Sequence, residues 1–152
     1  MFPELITELL QDGYKVNFSA PGHSMYPTIM ANETIIVEPI DPGTVRLGDI
    51  ILYRTDGQLI AHRVVGIYMI TGNSSSALSD LDTQSSVLSP HHFFTFRGDA
   101  APSCDQPVKE DQILGKVISI ERHGCRIDPY SFRHKIGCLV LTWKSRVKRL
   151  LN

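Results

Sequence analysis

Two apolar runs, DIILYR (49 to 54) and LIAHRVVGIYMI (59 to 70), are separated by only four residues, TDGQ. Asp-Gly between runs rich in β-branched residues favours a tight reversal, so the spacing predicts an antiparallel hairpin. Three further runs are strand-like in the same way, namely TIIVEPI (34 to 40), FFTFRG (93 to 98) and ILGKVISIER (113 to 122). With short connections and Gly/Pro punctuation, these predict a mainly β chain of coiled or barrel-like antiparallel sheets.

The only clear helical pattern is N-terminal. In PELITELLQ (3 to 11), Leu5, Ile6, Leu9 and Leu10 recur at near-helical spacing after a first-turn proline, which predicts a short helix ending near Gly13. A strand is expected from Tyr14 to Phe18, and SAPGHS then breaks it at Pro21 and Gly22. Ser24, within GHSMYPTI (22 to 29), therefore sits just past a sharp turn. At 152 residues and 42% hydrophobic, the chain fits one domain, with its core expected over about residues 14 to 127.

Two segments lack a steady period. TGNSSSALSDLDTQSSVLSP (71 to 90) is serine-rich and longer than an ordinary connection, so it reads as a flexible surface excursion. After Arg122 a hairpin or strand is expected to Ile127, followed from about Tyr130 by a helical or extended segment.

Charge narrows the partners. Fifteen Lys plus Arg against sixteen Asp plus Glu give a net charge of -1, which provides no global field for collecting nucleic acid. The local exception is KSRVKRLLN, where Lys144, Arg146, Lys148 and Arg149 form a basic tail suited to peripheral membrane contact. The run CLVLTW is far shorter than the roughly 20 residues needed to cross a bilayer, and the acidic N-terminus lacks signal-peptide character, so no integral membrane segment is expected. Three widely spaced cysteines, Cys104, Cys125 and Cys138, suit a reducing compartment, and the chain reads as cytoplasmic. His91, His92, Asp99, Cys104 and Asp105 lack the paired spacing of a structural zinc site, and no phosphate-loop or dinucleotide motif is present, so neither metal nor cofactor is expected.

Several residues have the types needed for nucleophilic chemistry. Strand alternation in LIAHRVVG puts Ile60, His62 and Val64 on one face and Arg63 on the other, where it can pair with an acid such as Asp49. An imidazole with an ordinary pKa of about 6.5 suits a general base at neutral pH. In FRGDAAPSCDQ (96 to 106), Asp99 follows Gly98 at a strand end and Asp105 comes after a turn containing Pro102. A serine, a histidine and an aspartate on separate turns or strand ends are the parts of a hydrogen-bonded nucleophilic site, although spacing alone does not bring them together.

The ordered motifs GHSMYPTI, GDIILY, IAHRVVG and RGDAAPSCD followed by QILGKV resemble the signal peptidase and LexA-like superfamily of serine peptidases, and most closely its endoplasmic-reticulum and archaeal type. They span roughly residues 18 to 120. The resemblance implies a serine endopeptidase acting on an extended peptide or precursor protein. Ser24 would be the nucleophile, His62 the base, and Asp99 and Asp105 the acids of the catalytic site, Asp105 orienting His62 and Asp99 supporting the pocket or the structure. Met25 would line the substrate pocket, and His23 could contact substrate. Lys109 and Lys116 are read as structural or surface groups, since His62 stands where related enzymes use a lysine. A noncatalytic peptide-binding or assembly module on the same fold is the alternative. The chain differs from membrane-anchored members in having only an acidic helix and a strand before Ser24. It also lacks room there for the DNA-binding unit of a self-cleaving repressor.

Overall fold

The computed structural model describes residues 2–70 and 91–131. The serine-rich segment, CLVLTW, the basic tail and Cys138 lie outside these residues. Helix α1 (Pro3–Gln11) opens the chain, with Pro3 in its first turn and the Thr7 hydroxyl donating to the Pro3 carbonyl at 2.8 Å. It is followed by strands β1 (Val16–Ala20), β2 (Glu33–Pro39), β3 (Ile50–Thr55), β4 (Gln58–Ile70), β5 (His91–Arg97), β6 (Val108–Lys109), β7 (Ile113–Arg122) and β8 (Cys125–Ile127).

The described strands form one antiparallel sheet in the order β1-β2-β7-β3-β4-β5-β6, with β8 continuing along β7 beyond the end of β3. The sheet is open. Strands β1 and β6 at its two ends are not paired with each other, which corrects the barrel-like expectation. The β3–β4 hairpin forms as expected: Thr55 pairs with Gln58, and Asp56 and Gly57 take φ values of 48° and 73°, the left-handed pair that a two-residue reversal requires.

Strand β3 explains why the sequence reads as a continuous apolar run there. Its residues Ile50, Ile51, Leu52 and Tyr53 are all at most 1% exposed, because both faces of this strand are covered. Ile50 and Leu52 join a core under α1 that includes Leu10, Ile35, Val37 and Val117. Ile51 and Tyr53 point the other way, into a second core with Val64, Phe94 and Phe96. Because Ile51 lies opposite His62 in the register, His62 shares the face of this second core.

Candidate active site

The turn that carries Ser24 leaves β1 at Ala20 and is anchored on both sides. The buried Met25 and Ile29 plug into the first core, and the Ile29 N–H closes one helical turn on the Met25 carbonyl at 2.9 Å. From the other side, the Ala100 N–H donates to the Ser24 carbonyl at 2.8 Å. The serine side chain is left exposed, on a backbone held by a neighbouring loop.

On β4, His62 is only 8% exposed. Its Nε2 lies 2.8 Å from Ser24 Oγ, and its Nδ1 lies 2.6 Å from Asp105 Oδ2. A carboxylate only accepts, so Nδ1 carries the proton and Nε2 is left to accept from the serine hydroxyl. Asp105 is fixed at its backbone, where its N–H donates to the Phe96 carbonyl at 2.8 Å. The structure thus brings Ser24, His62 and Asp105 into one continuous chain of hydrogen bonds. Such a chain can take a proton from a hydroxyl as it attacks and return it to a leaving group.

Asp99 does not touch His62. It accepts a two-pronged contact from Arg63, with Nε 2.8 Å from Oδ1 and Nη2 2.7 Å from Oδ2, and the Thr28 hydroxyl also donates to Oδ2. Arg63 Nη1 donates to the Gly48 carbonyl at 2.9 Å. This network ties the serine turn, β4 and the loop after β5 together. It also corrects the expected pairing of Arg63 with Asp49. Lys116, whose backbone lies opposite Ile51, takes Asp49 instead, at 2.7 Å.

Met25 is 4% exposed and serves both as core and as part of an apolar cleft. This cleft, of about 360 Å³, runs from Ser24 and His62 between Phe18 and Ala20 of β1 and Leu59 and Ala61 of β4. Among the described residues, no Asp, Glu, Lys or Arg lines it. His23 stays exposed and outside the cleft lining, and its carbonyl accepts the Tyr26 N–H at 3.1 Å. Among the described residues no cluster of three or more His, Cys, Asp or Glu is arranged to hold a metal, and no helix is long and apolar enough to cross a membrane.

Two participants escaped the sequence reading. One is Thr28; the other is Tyr53, whose hydroxyl donates to Asp105 Oδ2 at 2.8 Å. The signal for Tyr53 was available. A two-residue Asp-Gly turn sets Tyr53 opposite Ile60 and Ile51 opposite His62, placing the phenol one diagonal step from the imidazole. No known protein family and no curated protein matches the chain.

Proposed function

We propose that this protein is a serine endopeptidase of the signal-peptidase-like class, acting on extended peptides or precursor proteins. The observation that carries the reading is the Ser24–His62–Asp105 chain of hydrogen bonds at the mouth of an apolar cleft. As Ser24 Oγ bonds to the peptide carbonyl carbon, His62 Nε2 takes the hydroxyl proton and Asp105 steadies the resulting imidazolium. Backbone N–H groups near Ser24 hold the oxyanion. Collapse of the tetrahedral adduct breaks the C–N bond, and His62 gives its proton to the departing amine. A water deprotonated by His62 then attacks the acyl ester, and the proton returns to Ser24 as the new carboxyl product leaves.

The cleft favours a particular substrate form. Among the described residues, strand β1 pairs only with β2, and residues 58 to 62 of β4 pair only with β3, so two strand edges flank the cleft. An extended peptide can add to such an edge through its backbone, while the apolar lining selects apolar side chains. Cys104 and Cys125 are free thiols, which suits a cytoplasmic enzyme.

The test is cleavage of a diverse peptide library by wild type, Ser24→Ala and His62→Ala, with products mapped by mass spectrometry. The expected result is a set of cuts with apolar residues on the cleft side of the bond, slowed by about 10⁴-fold or more in both variants. Cuts that survive in Ser24→Ala would come from another source and sink the proposal. A folded wild type that binds peptides without cutting them would turn the reading into a peptide-binding module.

A further inference from the structure

Asp105 Oδ2 accepts from two donors at once, His62 Nδ1 at 2.6 Å and the Tyr53 hydroxyl at 2.8 Å. The phenol that supplies the second bond is unusually well fixed. Its residue is 1% exposed, and its ring stacks on Phe96 at a centroid separation of 4.4 Å and an interplanar angle of 15°. Phe96 is itself fully buried, and its carbonyl receives the Asp105 N–H. Asp105 is therefore held at its backbone by one member of a stacked aromatic pair and at its side chain by the other.

We infer that Tyr53 is a positioning residue for the peptidase site, fixing the Asp105 carboxylate so that it presents Oδ2 to His62 Nδ1. The inference rests on the peptidase reading for its catalytic consequence, but not for its geometry. Asp105 sits in the loop after β5, and its side chain remains about 28% exposed. A loop carboxylate held only by the imidazole it must orient would swing between rotamers, and the imidazole would turn with it. A second donor mounted on the twice-covered strand β3 removes that freedom. Burial first, and the bond to Asp105 second, push the Tyr53 hydroxyl well above the usual tyrosine range. It accordingly remains a donor at neutral pH.

Tyr53→Phe keeps the stacked ring and deletes only the hydroxyl, so it isolates the bond. One measurement needs no substrate: low-field proton NMR of the full chain, in which an imidazole N–H bonded to a carboxylate stands apart from other protons. The His62 Nδ1 proton should be visible in wild type and Ser24→Ala and lost in Asp105→Asn. In Tyr53→Phe it should be displaced and broadened by faster solvent exchange. An unchanged position and exchange rate in Tyr53→Phe overturns the inference, whether or not any peptide is cut.

The second measurement uses a library peptide cleaved by wild type. Tyr53→Phe should lower kcat about 10- to 100-fold, the range expected for one hydrogen bond to a charged group, and leave KM within about twofold. In the Asp105→Asn background the same change should have no further effect on kcat. Equal losses in both backgrounds would mean that the Tyr53 hydroxyl does not act through Asp105, and would overturn the inference. If the resonance behaves as stated and wild type cuts nothing, the peptidase reading fails while the positioning role stands.

Discussion

At the scale of single residues, the sequence carried the identities of the site better than its wiring. Ser24, His62 and Asp105 stand out only because their ordered motifs resemble those of a serine-peptidase family, since spacing alone does not bring a turn hydroxyl, a strand imidazole and a loop acid together; alternation does put Arg63 on the face opposite His62. The partner of Arg63 was not legible, since it depends on which loop folds over β4 and on Lys116 having already claimed Asp49. The Arg63–Asp99 contact is mostly shielded, with side chains 22% and 18% exposed, and it uses the planar fork that only arginine offers. Asp99→Asn removes the charge and one of the two acceptors while leaving the guanidinium in place. It should lower the unfolding free energy by about 2 kcal/mol, read as a lower urea midpoint at unchanged slope. Arg63→Lys should fall in the same direction. A midpoint indistinguishable from wild type in both would mean that solvent screens the contact and that the network does not brace the serine turn.

At the scale of elements, local pattern located most strands and pairing set their limits. Strand β7 runs from Ile113 to Arg122, as its apolar run suggested. Strand β1 instead begins at Val16 and reaches Ala20, because its partners Glu33 to Val37 determine where the ladder lies. The two residues of β6 are too few to leave a periodic trace. A tighter constraint lies where the loop after β5 meets the serine turn. A Cβ on Gly98 would stand 2.6 Å from the Ser24 carbonyl oxygen and 3.0 Å from its Cβ. A Cβ essentially never sits that close to a carbonyl oxygen, so Gly98→Ala forces the serine turn and the loop apart and disturbs the Ser24 Oγ–His62 geometry. If Ser24 is the nucleophile of the proposed peptidase, a displacement approaching 1 Å in its hydroxyl costs about 100-fold in rate. Steady-state kinetics of Gly98→Ala on a cleaved peptide should show that loss in kcat, with the protein still folded by circular dichroism. Full activity would mean that the loop yields instead of the serine turn.

At the scale of the whole molecule, β7 enters between β2 and β3, and among the described residues β1 and β6 are the outer strands of an open sheet. Periodicity within a run does not encode that long-range insertion, which is why a barrel-like closure was also compatible with the sequence. The two cores share β3 as a common wall, and each has a phenol against it, Tyr53 buried and Tyr130 partly buried. Tyr53 lies in the second core, while Tyr130 packs on the first, donating to the Val117 carbonyl at 2.7 Å and accepting from the Ile50 N–H at 3.0 Å. Burial is the leading cause that raises both phenols above their ordinary value of 10.0. A raised value means that the folded state keeps a proton that the unfolded chain releases. The associated stability is therefore complete below about pH 10 and is lost as pH climbs from there toward the folded values. Each phenol should contribute a slope of up to about 1.4 kcal/mol per pH unit in that window. Because the shared wall makes the cores unfold together, the two slopes should add in one transition. Urea melts between about pH 8 and 11.5 test this, with Tyr53→Phe shedding the share due to Tyr53 and flattening the alkaline slope by about 1 kcal/mol per pH unit. Two separate transitions, or an alkaline slope that Tyr53→Phe leaves untouched, would show that β3 does not couple the cores in this way.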